Sequence, residues 1–333
     1  MRIGWTLRLI ALIAWLVSLA ACAPAQSPGG EKLRVVATTS LIGDVVRQVA
    51  GDAVDLTVLL PLAVDPHSYQ PTPQDAAKIA KAEVVFVNGL GLEGFLDKLI
   101  ENAGRQAQVV VVSNGIEAME GHEHEHEGEE HAHEGEGEAH AEKGEQHGSE
   151  AEEHDHGGVD PHVWLDPNNV RVWARNIAAA LSELDPANAA AYRANAQRYD
   201  QTLQALDAWI QEQVAQVPAE QRKLVVDHDS FRYFARRYGF ETVGAVIPGF
   251  STLSAPSAQE MAQLEDAIRA LGVKAVFVSA ASNTALAERV ARDTGTQVVF
   301  LYTHSLTEPG GAADSYEKMM RYNVEAIVKA LKP

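Results

Sequence analysis

One pattern restricts this chain more than any other. Short apolar runs alternate with amphipathic stretches in the same order twice, and a long helical stretch divides the two sets. In the first set, strands are predicted over Leu33–Thr39, Val54–Leu60, Glu83–Asn88 and Gln108–Ser113. Helical spacing occupies Leu41–Ala50, which Gly51 stops, and Leu92–Asn102, while Thr72-Pro73-Gln74-Asp75 has the form of a helix start. In the second set, strands are predicted over Lys223–Asp227, Glu241–Ile247, Lys274–Ser279 and Gln297–Tyr302. Helices are predicted over Ser230–Tyr238, Ser257–Leu271, Asn283–Asp293 and Asp314–Leu331. Strands separated by helices in this way are buried in parallel sheets covered on both faces.

The predicted fold class is therefore α/β, with two lobes that each hold a four-stranded parallel sheet flanked by helices, joined by one long α-helix. The first lobe is placed at 33–185, the linking helix at 186–217 and the second lobe at 218–333. Within the first lobe Asn168–Leu184 is also predicted helical. The linking helix carries Tyr192, Ala196, Tyr199, Leu203, Leu206, Trp209 and Val214 at helical spacing.

Between the fourth and fifth strands the pattern fails. Gly121–Gly158 is almost entirely His, Glu, Gly and Ala, with histidines at His122, His124, His126, His131, His133, His140, His147, His154 and His156. It has nothing apolar to bury and is predicted to be disordered, with its imidazoles as loose metal-gathering sites. The net charge of −19 is concentrated here, since Glu120–Asp155 holds 15 acids and one base. The rest is only mildly acidic, and no basic stripe argues for nucleic acid.

The chain opens with Arg2 and Arg8, then the apolar run Leu9–Val17, then Leu19-Ala20-Ala21-Cys22. Residues 1–22 read as a lipoprotein signal peptide, with Cys22, the only cysteine, as the lipidated anchor to the membrane. Residues 23–32, rich in Pro, Gly and Ser, read as a flexible tether.

Of 13 histidines, four lie outside the insert: His67, His162, His228 and His304. His67 follows the second predicted strand, His162 the fourth and its insert, His228 the first strand of the second set and His304 the last, and ligands of open parallel sheets bind beyond strand ends. Two sit in the repeated tripeptide Asp-Pro-His, at Asp65-Pro66-His67 and Asp160-Pro161-His162. A lone histidine is usually structural, but four so placed point to one metal site in the cleft between the lobes. Neutral imidazoles suit zinc better than magnesium, calcium or manganese, and four of them close a tetrahedral shell with no open position for water. Asp65, Asp160, Asp227 and Asp229 are candidates to orient the rings, with turn and cap chemistry as the competing role.

The segments around these histidines resemble a known family, the cluster A-I substrate-binding lipoproteins of bacterial ABC transporters for zinc and manganese. The resemblance runs from Leu33 nearly to the end. It is carried by Asp65-Pro66-His67-Ser68-Tyr69-Gln70-Pro71-Thr72-Pro73, Asn88-Gly89-Leu90-Gly91-Leu92-Glu93, Asp160-Pro161-His162-Val163-Trp164-Leu165-Asp166-Pro167, Val226-Asp227-His228-Asp229-Ser230-Phe231, and Asp314-Ser315-Tyr316 with Met319-Met320-Arg321-Tyr322-Asn323. It implies a monomeric protein that binds its metal between two lobes and docks on a membrane permease with a cytoplasmic ATPase. The first three ligands it implies fall on His67, His162 and His228, and the third being histidine points to Zn2+ rather than manganese. The fourth is usually an aspartate, where this chain has His304. Either His304 replaces the carboxylate or an acid such as Asp314 reaches in. His304 is preferred, because Asp314 has the form of a helix cap.

Two other readings compete. Gly89-Leu90-Gly91-Leu92-Glu93-Gly94 fits a dinucleotide fingerprint by spacing, although it follows the third strand rather than the first. A zinc hydrolase would need an open ligand position and a positioned base.

Overall fold

In the computed structural model, which describes residues 31–104, 107–120, 158–280 and 283–333, the two sets of strands form two sheets. The first half consists of β1 (Leu33–Ala37), α1 (Ser40–Ala50), β2 (Val54–Val58), α2 (Pro73–Lys81), β3 (Val84–Val87), α3 (Leu96–Asn102) and β4 (Gln108–Val111). Two helices that pack on each other follow in sequence, α4 (Pro167–Leu184) and the longer α5 (Ala189–Val214). The second half consists of β5 (Lys223–His228), α6 (Arg232–Tyr238), β6 (Glu241–Ile247), α7 (Ala258–Leu271), β7 (Ala275–Ser279), α8 (Ala285–Thr294), β8 (Gln297–Leu301) and α9 (Tyr316–Leu331). Strand order is β2-β1-β3-β4 in one sheet and β6-β5-β7-β8 in the other. Every pairing is parallel. Cys22 and the nine histidines of the insert lie outside the described residues.

The central strands β1, β3, β5 and β7 are mainly apolar because each sheet face has its own core. Val35, Ala37, Val84 and Phe86 of the first sheet, with Leu224, Val226, Ala275 and Phe277 of the second, belong to one apolar core that also takes in α1, α4, α5 and α9. Their strand neighbours Val36, Val85 and Val87 face a smaller core with Ile79 of α2 and Leu99 of α3. Val225, Val276 and Val278 do the same with Leu264 of α7 and Val290 of α8. Alternation with period two thus sends successive side chains to different cores.

The α5 helix has 26 residues and so runs about 39 Å at 1.5 Å per residue. It packs along α4 and also against α1 of the first half and α9 of the second. It is shorter than the 186–217 predicted, because Asp185 accepts hydrogen bonds from Asn188 Nδ2 and Tyr192 Oη, each 2.7 Å, and holds the connection as a turn. Tyr192, Ala196, Tyr199, Leu203, Leu206 and Val214 are buried as expected, but Ile210 takes the place predicted for Trp209. Trp209 lies at the margin of the core, where the Arg321 guanidinium sits 4.5 Å above its ring.

The α3 helix starts four residues later than Leu92. Gly89, Leu90 and Gly91 all have positive φ, at 80°, 57° and 80°. The turn is closed by Glu93, whose carboxylate accepts from the backbone N–H of Asn88 at 2.7 Å, the N–H of Gly89 at 3.0 Å and the Thr38 hydroxyl at 2.7 Å. These amides already hold the chain's own carboxylate, which removes the dinucleotide reading: the anion they would offer a pyrophosphate is present as Glu93. A second correction concerns α9. Its N-cap is Ser315, which accepts from the Lys318 N–H, and not Asp314. Asp314 instead accepts from the Gly310 N–H at 2.8 Å and pairs with Lys318 at 2.7 Å.

A Cβ placed on Gly89 would meet Val111 Cγ1 at 2.5 Å, at a backbone angle that side chains rarely adopt. Gly89→Ala is therefore expected to lower stability by about 1–3 kcal/mol, read as a lower urea midpoint at unchanged slope. An unchanged midpoint would mean that β4 moves away at no cost.

Candidate metal centre

The local sequence places each of the four histidines by a short polar device. His67 stands in the loop after β2, where its backbone N–H donates to Asp65 Oδ1 at 3.0 Å and so closes a tight turn across Pro66. His162 precedes a single 3-10 turn at Val163–Leu165. Asp160 Oδ1 accepts from its backbone N–H at 2.9 Å and also faces its Nδ1 at 2.8 Å. His228 is the last residue of β5, and Asp227 Oδ1 receives its backbone N–H and faces its Nδ1, both at 2.9 Å. The other oxygen of Asp227 accepts from the Ser279 N–H at 2.8 Å, at the end of β7. His304 follows β8, with the Thr303 hydroxyl 3.0 Å from its Nδ1.

These devices bring the four side chains together. One potential ligand atom from each of His67, His162, His228 and His304 lies within 4.8 Å of all the others. The Nε2 atom of His162 is 3.1 Å from that of His67 and 3.2 Å from that of His228. The rings of His228 and His304 are nearly parallel, with centroids 4.9 Å apart. His162, His228 and His304 are buried, and Nε2 of His304 has no hydrogen-bond partner.

Tautomers follow from the acceptors. Each of the oxygens Asp160 Oδ1 and Asp227 Oδ1 already accepts a backbone N–H, so the Nδ1 atoms facing them carry protons. The Nε2 atoms of His162 and His228 are left facing each other across 3.2 Å, toward the middle of the cluster. A tetrahedral zinc ion with Zn–N bonds of about 2.0–2.1 Å has N···N edges of about 3.4 Å, near the two spacings seen. The donor set therefore fits a small divalent cation with a preference for nitrogen.

Three of the rings, His67, His162 and His304, are held neutral for it. Burial, reinforced by the His228 ring, pushes His67 down to about 4. Burial and the neighbouring imidazoles push His162 and His304 well below the ordinary histidine range. Burial also pushes the Asp160 carboxyl up.

The four carboxylates proposed to orient the rings divide. Asp160 and Asp227 do so. Asp65 holds the His67 backbone and receives the Thr252 hydroxyl on its second oxygen, which is turn chemistry rather than ring orientation. Asp229 Oδ2 lies 3.9 Å from Arg232 Nε. Asp314 is not part of the cluster. Trp164 stands in the quoted stretch around His162, but no sequence signal announces its partner: its indole N–H donates to the Thr303 carbonyl at 2.7 Å. The role of Thr303 was legible only as a polar neighbour of His304, in the position that Asp227 holds beside His228.

Comparison with known proteins gives the chain's relatives. The family described as "ZnuA: Zinc-uptake complex component A periplasmic" matches residues 35–330. The manganese-binding lipoprotein MntA of Halalkalibacterium halodurans is 34% identical over 306 residues, which is 92% of this chain and 90% of that protein. The periplasmic zinc binding protein TroA from Treponema pallidum superposes with a TM-score of 0.75 at 27% identity, over 91% of this chain and 100% of that one. A Mn-bound periplasmic metal binding protein from Candidatus Liberibacter asiaticus, in a mutant form, superposes with a TM-score of 0.74 at 27% identity, over 90% of this chain and 100% of that one.

Neutral buried imidazoles link stability to pH. His67 in the folded chain takes up its proton only near pH 4, whereas the usual value is 6.5. Between these values the unfolded chain binds more protons, so stability is complete above about pH 6.5 and is lost as pH falls toward 4. The metal-free protein is expected to show a falling urea midpoint over that window, with a shallower fall in His67→Gln. Equal slopes in the two proteins would remove His67 as a source of the effect.

Proposed function

The chain belongs to the ZnuA family of zinc-uptake components, and from that membership and the four-imidazole cluster we propose that it captures Zn2+ outside the cytoplasm and delivers it to an ABC permease. The observation that carries this reading is the donor set: four imidazoles within 4.8 Å of one another and no carboxylate among them. Four nitrogens complete a tetrahedral zinc shell, which suits capture and release of an ion rather than activation of water. The ion is cargo, held by His67, His162, His228 and His304. In this proposal, 33–185 and 218–333 act as lobes on either side of it and 186–217 as the segment that links them. Lipidated Cys22 tethers a monomer to the membrane, and the permease with its ATPase is the partner. The insert's nine histidines serve as secondary, loose sites that raise the local zinc concentration.

A manganese cargo is the second reading. It rests on the manganese-binding lipoprotein that is 34% identical to this chain. Manganese favours oxygen ligands and stands at the weak end of the divalent affinity series. The all-imidazole set argues for zinc on both counts.

Competition titrations decide between them. Protein lacking 121–158 is expected to bind one zinc ion at least about a hundredfold more tightly than manganese. Changing His67, His162 or His228 to Ala should each weaken zinc binding strongly, and His304→Asp should narrow the gap between the metals. Tight manganese binding with weak zinc binding in the parent would move the assignment to manganese. A tight zinc site that survives all three alanine changes would remove these residues as ligands.

A further inference from the structure

Trp164 is two residues past His162 and belongs to the first half of the chain, yet both of its polar groups are engaged by the second half. Its indole N–H donates to the Thr303 carbonyl at 2.7 Å, and its carbonyl accepts from the Tyr316 hydroxyl at 2.6 Å. Tyr316 is in turn held by Asp44 of α1, which accepts its backbone N–H at 2.9 Å. The buried indole lies edge-on to two imidazoles at once, with centroids 5.3 Å from His162 and 6.1 Å from His304.

The segment that carries His304 is pinned on both sides. Asn323 exchanges two hydrogen bonds with the backbone of Tyr302, at 2.9 and 2.6 Å. The Ser40 hydroxyl accepts the Leu306 N–H at 2.9 Å. Between these pins the Trp164 indole reaches the Thr303 carbonyl, one residue before the ring. Thr303 is itself buried and also faces Nδ1 of His304 through its hydroxyl. The peptide that orients the fourth imidazole is thus set by a donor from the segment that carries the second.

We infer that Trp164 is a positioning residue for the metal centre: its indole N–H, through Thr303, sets where His304 presents Nε2 relative to His162. This rests on the metal-binding function proposed above. Thr303 faces the His304 ring as Asp160 and Asp227 face theirs, Trp164 holds Thr303 in place, and outer partners of this kind are typically worth about 10–100-fold in metal affinity.

The test compares Trp164→Phe with Trp173→Phe. Trp173 is an equally buried indole beside Trp164, and its N–H goes to the Ser113 hydroxyl at 3.0 Å instead of to the site. Zinc affinity is measured by competition with a chromophoric chelator, using the full chain. Trp164→Phe is expected to bind zinc about 10–100-fold more weakly, and Trp173→Phe to stay within about threefold, since the hydrogen bond it removes goes to Ser113 and not to the segment that carries His304. In a His304→Ala background Trp164→Phe should add no further loss. Hydrogen exchange of the metal-free proteins supplies a readout independent of zinc: amides at 303–306 should exchange faster in Trp164→Phe and unchanged in Trp173→Phe. Equal affinity losses in the two tryptophan variants, the same Trp164→Phe loss with and without His304, or unchanged exchange at 303–306 would each overturn the inference. A parent protein that binds no zinc would overturn the proposed function, and the exchange comparison would still decide the role of Trp164.

Discussion

Four imidazoles gathered so that one nitrogen of each lies within 4.8 Å of all the others, three of the rings buried, are the constraint around which this molecule is arranged. In water the rings would turn away from one another or take up protons. Here Asp160 and Asp227 face the Nδ1 atoms of His162 and His228, and burial lowers the proton affinity of His67, His162 and His304. Such preorganisation is how a protein binds an ion tightly with few ligands.

The fold supplies the means. Both sheets have the same order, so each has its reversal of strand order in the same place, between its first and third strands. Ligands collect beyond the carboxyl ends of strands at such points. His228 ends β5, the strand on one side of that reversal in the second sheet, and Asp227 before it is anchored to the end of the neighbouring β7 through Ser279. Loops from both halves then close over the same spot. They are held in register by the core that runs from the first sheet through α4 and α5 to the second, and by cross-chain links from Ser40 to Leu306 and from Asp44 to Tyr316.

Much of this was legible in the sequence, for a physical reason. Short runs rich in valine and other apolar residues stand out from helical spacing, so all the described strands were found within two residues of their ends. The four histidines were legible because imidazoles at strand ends have few structural duties there. What failed was local and polar. The late start of α3 depends on the Glu93 carboxylate folding back on Asn88 and Gly89, and the cap of α9 depends on which of two adjacent polar residues turns inward. A periodicity of 3.6 carries neither. Trp164 was missed for a different reason: its partner is 139 residues away, and nothing near an indole in sequence announces where its N–H will go.

The placement of charge bears on the choice of ion. A divalent cation on four neutral imidazoles is a buried double charge, and burial of uncompensated charge is costly. A carboxylate inside the ligand set would offset it directly, but would also supply the oxygen that manganese favours. In this chain two carboxylates stand one ring further out, behind His162 and His228, at 2.8 and 2.9 Å from Nδ1. There they balance the ion through polarised imidazoles while only nitrogen touches it. Burial raises the Asp160 carboxyl when no cation is near, and a cation on the far side of the His162 ring acts in the opposite direction, favouring the ionised form. Countercharge and ligand chemistry are thereby assigned to different atoms, and a carboxylate can balance a cation without entering its ligand set.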